Sequence, residues 1–245
     1  MQDKFAWIST PDELWEDKKE MITTALESGI DHVLDFDDIE QIRKLGNVKI
    51  IANTDDADIY LVGINGEGDG FLELNEDFSD SADINNAKNE KSEGKTVCAY
   101  IKITDKAHEQ LAVKLGSIVD YIILVGTDWT IIPLENIIAD LQKEDVEIIA
   151  VVRDIDGARV ALETLEHGTD GVIFEANDFN EIKQIAQEVV EASRIKYDLK
   201  IATVTNVKPL GSGDRVCVDT TDMMKPGEGM LIGSYSKSMF LVHAE

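Results

Sequence analysis

Along roughly its first two hundred residues the chain repeats one pattern. An amphipathic stretch with helical spacing ends at a glycine, a few residues follow, and a run of apolar, mostly β-branched residues comes next. Leu26-Glu27-Ser28-Gly29 precedes His32-Val33-Leu34, and Lys44-Leu45-Gly46 precedes Val48-Lys49-Ile50-Ile51. Lys114-Leu115-Gly116 precedes Tyr121 to Val125, and Glu166-His167-Gly168 precedes Gly171-Val172-Ile173-Phe174. A glycine in that place predicts the left-handed residue that ends a helix. The runs Thr96 to Ile101 and Glu147 to Val152 belong to the same series, and none of them alternates strictly between apolar and polar. Strands buried on both faces read this way, so the pattern predicts a parallel sheet covered by helices.

With Phe5 to Ile8 as the first strand and Lys200 to Val204 as the last, about eight strands are expected, which points to a (β/α) barrel-like parallel sheet. Ile59-Tyr60-Leu61-Val62 is an extra strand candidate and keeps an open doubly wound sheet in view. Residues 66–94 are poor in apolar periodicity and rich in Asp, Glu, Asn and Ser, and are expected to form a long polar loop or partly disordered insertion. After Pro209 the helical pattern stops. Val216 to Val218, Met230 to Ile232 and Met239 to Val242 read as short strands joined by turns. The expected organisation is α/β: a barrel-like domain over 1–206 with a polar insertion near 66–94, then the beginning of a β-rich domain over 207–245.

A 43% hydrophobic content over 245 residues supports a sizeable core. The formal charge of −26, from 49 acidic against 23 basic residues, argues against nucleic acid and anionic membrane as partners, because the summed field repels phosphate. No apolar run approaches the length of a bilayer span. Cys98 and Cys217 lie inside strand-like runs, and the start lacks a basic segment followed by an apolar core, so a soluble cytoplasmic protein without a disulfide framework is expected. His32, His108, His167 and His243 are far apart and show no metal-ligand spacing.

In an α/β architecture the chemistry lies beyond the carboxyl ends of the strands. The residues there are Ser9 and Thr10, Asp35, Asn53, Lys102, Asp128 and Trp129, Arg153 and Asp154, Glu175, and Thr203 and Thr205. Trp129 can stack on a flat ligand beside Asp128, a carboxylate able to accept a proton. The plainer alternative makes Asp128 or Thr130 a helix cap and folds Trp129 onto the barrel rim. Lys102 has the position of a Schiff-base lysine, against the simpler reading of a solvated amine. Lys18 and Lys19 lie on a helix running from Trp15 to Ser28, whose apolar members are most simply core.

From Ala202 onward the texture changes, with glycines, hydroxyls and one arginine crowded between short apolar runs. Gly211-Ser212-Gly213 lacks a third glycine three residues on, and Gly227-Glu228-Gly229 is followed by Gly233, one residue late for a dinucleotide fingerprint. Both read as turns. Their neighbours Arg215, Asp219, Ser234 and Ser236 are more polar than a structural hairpin needs.

The blocks Gly126 to Asn136, Ala202-Thr203-Val204-Thr205, Gly211-Ser212-Gly213-Asp214-Arg215-Val216-Cys217, Gly227 to Ser236 and Phe240-Leu241-Val242-His243 resemble the archaeal, type II 3-dehydroquinate synthase family. So does the segment Trp15 to Gly29, with Lys18, Lys19, Thr23, Thr24 and Glu27. Members of that family continue through a further β-rich region, so the chain is expected to be a truncated or incomplete member. The unpaired edge after Phe240 to Val242 leaves association into a homo-oligomer open.

The resemblance implies an NAD-dependent oxidative deamination and cyclisation of 2-amino-3,7-dideoxy-D-threo-hept-6-ulosonate to 3-dehydroquinate, in the shikimate route to aromatic amino acids, without a metal. That chemistry asks for a proton acceptor at the amine, for which Asp128 is the choice. It asks for a cation on the carbonyl, assigned to Lys18 or Lys19, and one on the carboxylate, assigned to Arg215. Backbone amides of Gly211, Ser212 and Gly213 are expected to hold the cofactor pyrophosphate as a nest. The competing readings are an aldolase-type lyase using Lys102 and a metabolite-binding protein without turnover.

Overall fold

A computed structural model describes residues 4–11, 14–74, 78–126, 134–163, 168–194, 201, 203–209, 211, 229–234, 236 and 238–243. The chain divides into two compact units, Met1–Lys196 and Tyr197–Glu245.

In the first unit, strands β1 (Phe5–Ser9), β2 (His32–Leu34), β3 (Lys49–Ala52), β4 (Ile59–Val62), β5 (Val97–Ile103), β6 (Tyr121–Gly126), β7 (Glu147–Val151) and β8 (Gly171–Glu175) form a closed parallel barrel in chain order. Closure comes from β1 pairing with β8 over its whole length, Phe5 opposite Gly171 through Ser9 opposite Glu175. Helices α1 (Trp15–Glu27), α2 (Ile39–Ile42), α3 (Ala82–Ser92), α4 (Lys106–Gly116), α5 (Leu134–Leu141), α6 (Ile155–Glu163) and α7 (Phe179–Ser193) fall in the connections. The barrel expected from the buried, β-branched runs is therefore present. The second unit contains an antiparallel pair, β9 (Gly229–Ser234) and β10 (Ser238–His243), in agreement with two of the short strands expected there. The third, Val216 to Val218, lies outside the described residues. Among the described residues no helix is long and apolar enough to cross a membrane.

Two apolar layers follow from the period of two along each strand. One set, including Trp7, Ile51, Leu61, Cys98, Ile123 and Ile149, clusters inside the barrel. The other, including Ile8, Val33, Ile50, Ile101 and Ile122, joins helix residues such as Ile22, Leu111, Ile137 and Ile185 in the layer between strands and helices. Local chemistry sets the helix ends. Asp105 accepts from the amides of Ala107 and His108 at 2.9 and 3.0 Å to start α4, and Asp178 does the same for α7 through Asn180 and Glu181 at 2.9 Å each. Helix α1 ends in a Schellman arrangement. Gly29 takes φ +86°, and the amides of Ile30 and Gly29 donate to Ala25 and Leu26 at 2.9 and 3.1 Å.

Three expectations are corrected. The run Ile59–Val62 is the fourth barrel strand, whereas the described residues of 200–204 are exposed and carry no strand. No helix separates β3 from β4, so the repeating pattern breaks there and does not identify the strand. The polar stretch 66–94 holds α3, which buries only Asp83, Ile84 and Ala87 and so shows almost no apolar stripe. Its caps were visible: Ser81 accepts from the Ile84 amide, and Gly94 has φ +83°. Finally, Gly29 and Gly168 are left-handed as expected, but Gly46 and Gly116 are not. Gly116 lies inside α4 against Leu141, where a Cβ would stand 2.3 Å from Leu141 Cδ2.

Candidate functional site

One end of the barrel is plugged by rings. Trp7 stacks on His32 with centroids 5.1 Å apart and lies 5.0 Å from Tyr121, while Phe5 is 5.7 Å from Trp7. Gly171 makes room for this plug, since a Cβ there would meet the Phe5 ring at 2.4 Å. Phe5, His32 and Tyr121 open their strands, and Trp7, in the middle of β1, lies level with His32, so the plug fills the amino-terminal end. Chemistry is consequently left to the carboxyl ends, where the fold leaves a hollow of about 550 Å³.

Ser9, Tyr100, Arg153 and Glu175 line that hollow from the strand ends, and Glu181 lines it from the first turn of α7. Ile64, Ile123 and Ile173 supply an apolar floor. Arg153 lies two residues beyond Val151, which belongs with the inner cluster, so the alternation of β7 directs it to the same side. Of the four described arginines, Arg43, Arg159 and Arg194 are ion-paired and Arg153 is not. Glu175 ends β8 in the inner register and its Oε1 accepts from Asn177 Nδ2 at 3.0 Å. Burial, then the nearby charges of Asp178 and Asp154, push the Glu181 carboxyl above its ordinary value. Burial also raises the Tyr100 phenol, with Asp69 adding to the effect, so Tyr100 remains a protonated donor. Lys102, on which sequence periodicity is silent, shares the inward register of Cys98 and Tyr100 because Ile101 and Ile103 face the helices. It is exposed.

Beside the hollow, Asp35 organises a buried network. Its Oδ1 accepts from the amides of Asp37 and Asp38 at 2.9 and 2.7 Å, and its Oδ2 accepts from Thr10 Oγ1 and from Lys18 Nζ, the latter at 3.1 Å. Lys18 also reaches Asp38 Oδ2 at 3.0 Å. Burial alone would raise the Asp35 carboxyl, but hydrogen bonds from Thr10, the two amides and Lys18 outweigh it and hold the group below its ordinary value. Burial would likewise lower Lys18, and the bonds to Asp38 and Asp35 reverse that, leaving a firmly charged ammonium.

A glycine-rich loop, Gly63-Ile64-Asn65-Gly66-Glu67-Gly68-Asp69-Gly70, follows β4. It resembles a phosphate cradle in composition, but five of its amides are already engaged. Gly66 and Asp69 donate to Gly63 O, Gly70 to Glu67 O, Asn65 to Asp69 and Gly68 to Asp83. Its glycines serve close packing instead: a Cβ on Gly63 or Gly68 would stand 2.2 or 2.3 Å from the Tyr100 carbonyl oxygen. A larger hollow of about 720 Å³ at the opposite end is lined by Asp120, Glu144, Asp145, Glu147 and Asp170. There Asp120 and Asp170 hold the amides of Val97 and Ile148 at 2.8 Å each, a stabilising arrangement at the barrel's amino-terminal face.

The residues proposed from sequence fall in different places. Lys18 is buried between Asp35 and Asp38, on the helix side of β2, and Lys19 is exposed on α1. Gly211 has φ +89° with open space where a Cβ would be. Asp128, Trp129, Ser212, Gly213 and Arg215 lie outside the described residues. Asp154 accepts from the Gly157 amide at 2.7 Å and so serves the start of α6. Sequence reasoning missed Tyr100 and Glu181. Tyr100 was findable from the alternation Cys98, Tyr100, Lys102, and Glu181 from its place in the first turn after the Asp178 cap.

Residues 3–189 match the family model for the 3-dehydroquinate synthase II N-terminal domain, and residues 201–245 match that for its C-terminal domain. The chain belongs to the 3-dehydroquinate synthase II family. A relative from Methanobrevibacter smithii, named 3-dehydroquinate synthase, is 78% identical over 236 residues, covering 96% of this chain and 64% of its own. Another of that name, from Methanothermobacter thermautotrophicus, is 59% identical over 242 residues, covering 99% of this chain and 65% of its own. The chain thus spans a little under two thirds of the length of these 3-dehydroquinate synthase II relatives. Among solved structures, (S)-3-O-geranylgeranylglyceryl phosphate synthase from Thermoplasma acidophilum aligns with TM-score 0.52 at 14% identity, covering 78% of this chain and 94% of that one. Orotidine 5'-monophosphate decarboxylase from Methanocaldococcus jannaschii aligns with TM-score 0.51 at 14% identity, covering 78% and 98%. These two share the barrel fold and carry no statement about chemistry.

Proposed function

We propose that the chain carries the barrel of a 3-dehydroquinate synthase that converts 2-amino-3,7-dideoxy-D-threo-hept-6-ulosonate, with NAD, to 3-dehydroquinate, ammonia and NADH. Membership of the 3-dehydroquinate synthase II family is the observation that carries this reading. The hollow at the carboxyl ends of the strands, lined by Tyr100, Arg153, Glu175 and Glu181, supports it.

The chemistry divides the work among groups of known type. The amine must be neutral before its carbon gives up hydride, which calls for a carboxylate acceptor. Asp128, two residues after β6, and Glu181, in the hollow, are the candidates. Water then replaces the imine nitrogen and ammonia leaves. Next, the methyl carbon beside the remaining ketone loses a proton and attacks the new carbonyl to close the ring. A donor on the ketone oxygen stabilises that carbanion, and the protonated Tyr100 hydroxyl is of the right kind. Bound NAD would supply the hydride acceptor. Gly211, whose left-handed backbone suits a nest, would hold its pyrophosphate together with Ser212 and Gly213. The glycine-rich loop after β4 does not suit that task, because five of its amides are engaged and Glu67, Asp69 and Asp83 are anionic neighbours. Lys18 pairs with Asp35 and Asp38, which supports a part in holding the β2 end ahead of one in polarising a carbonyl. The aldolase alternative fares less well, since exposed Lys102 lacks the desolvation that a Schiff-base lysine uses.

The reading is tested by following reduced nicotinamide absorbance with the amino-heptulosonate and NAD, assaying ammonia and dehydroquinate in the same tube. Stoichiometric formation of all three is expected. A folded protein that binds the substrate and forms none of them would sink the assignment.

A further inference from the structure

Resting on that reading, we infer that the hollow at the carboxyl ends of β7 and β8 is a subsite for an α-amino acid end, in which Arg153 binds the carboxylate and Glu181, with Glu175, receives the ammonium. Two opposite charges one carbon apart need a site that presents both signs at short range. This hollow does so on adjacent strands.

Arg153 fits the carboxylate role for three reasons. It is an arginine, whose planar fork matches a carboxylate bidentately. It sits beyond the end of β7 in the inward register. Among the described residues it also has no carboxylate partner, whereas the other three described arginines are paired. An arginine that lines the hollow, is exposed and is unpaired among the described residues is available for an anionic ligand.

The ammonium side is equally specific. Glu175 ends β8 directly opposite Ser9 on β1 and is steadied on one oxygen by Asn177, leaving the other oxygen free of described hydrogen bonds. Glu181 projects from the first turn of α7 into the same hollow and is in no ion pair among the described residues. Its raised carboxyl, caused by burial and then by Asp178 and Asp154, suits a group that takes a proton from the bound ammonium. In that step the ammonium N–H bond breaks, the carboxylate gains the proton, and the amine keeps the electron pair. The apolar floor of Ile64, Ile123 and Ile173 excludes water beneath the reacting carbon.

The test is calorimetric titration of three compounds: the amino-heptulosonate, its decarboxylated analogue and its deaminated analogue. Each is titrated into wild type, Arg153→Ala, Arg153→Lys and Glu181→Gln. Wild type is expected to prefer the parent over each analogue by about tenfold or more, the worth of a charge-assisted hydrogen bond. Arg153→Ala should erase the preference over the decarboxylated compound and keep the other, with Arg153→Lys recovering part of it. Glu181→Gln should show the reverse selectivity and, in turnover, lose the acid limb of its pH profile. Unchanged discrimination in Arg153→Ala, or no binding of the parent to wild type, overturns the subsite. Binding is read without turnover. Failure to form dehydroquinate with intact discrimination would therefore count against the proposed reaction and not against the subsite.

Discussion

Lys18 and Asp35 illustrate how much a single position depends on its partners. Removing the ammonium leaves a carboxylate that is 1% exposed without its counter-charge, so Lys18→Ala is expected to cost about 3–5 kcal/mol in a denaturant titration, as broken buried pairs do. Asp35 is held below the ordinary carboxylate value of 3.8, so its contribution is present above that pH and is lost as pH falls through the depressed folded value. Asp35→Asn should therefore flatten the acid limb of the melting curve against pH. Asp83 has the opposite sign. Burial, together with the charge of Glu67, raises its carboxyl despite the Gly68 amide, so its ionisation opposes folding at neutral pH. Asp83→Asn should raise the melting temperature at neutral pH, with the gain shrinking as pH falls toward the carboxylate range. None of this was legible from spacing: helical periodicity sets Lys18 on α1, and only the fold brings it to Asp35 and Asp38.

At the level of elements, the strands were legible where a helix separated them, because the change of period marks each boundary. β4 was ambiguous for the opposite reason, and α3 escaped notice because a helix that buries an aspartate, one isoleucine and one alanine has no apolar stripe. The loop after β4 is rich in glycine, yet five of its amides are engaged within the loop or by Asp83 and two of its glycines, Gly63 and Gly68, admit the Tyr100 carbonyl. Gly68→Ala places a Cβ 2.3 Å from backbone that cannot swing aside, and about 1–3 kcal/mol of destabilisation is expected from chemical unfolding. A smaller loss there would mean that the loop shifts freely on the end of β5.

For the whole molecule, the barrel closes through β1 and β8 and has its own inner and outer cores within Met1–Lys196. A chain ending at Lys196 is therefore expected to melt cooperatively with the circular dichroism of an α/β protein; a broad, non-cooperative transition would show that the barrel needs residues 197–245. The charge of −26 also acts at this scale, opposing the approach of the anionic dinucleotide proposed as hydride acceptor but not of the zwitterionic amino-heptulosonate. Raising salt from about 10 mM to about 150 mM shortens the Debye length from about 30 to about 8 Å, and kcat/KM for NAD should rise with it while that for the amino-heptulosonate stays nearly level. Local pattern was enough to specify β-branched runs buried on both faces, helices ending near glycines and a parallel barrel, and the quoted sequence blocks carried the family resemblance, because each depends on residues close together in the chain. Closure by the first and last barrel strands, the inward aim of Arg153 and Tyr100, and the capture of Lys18 by Asp35 and Asp38 came from the folded arrangement. They depend on strand register and on contacts between distant segments, which spacing along one chain does not encode.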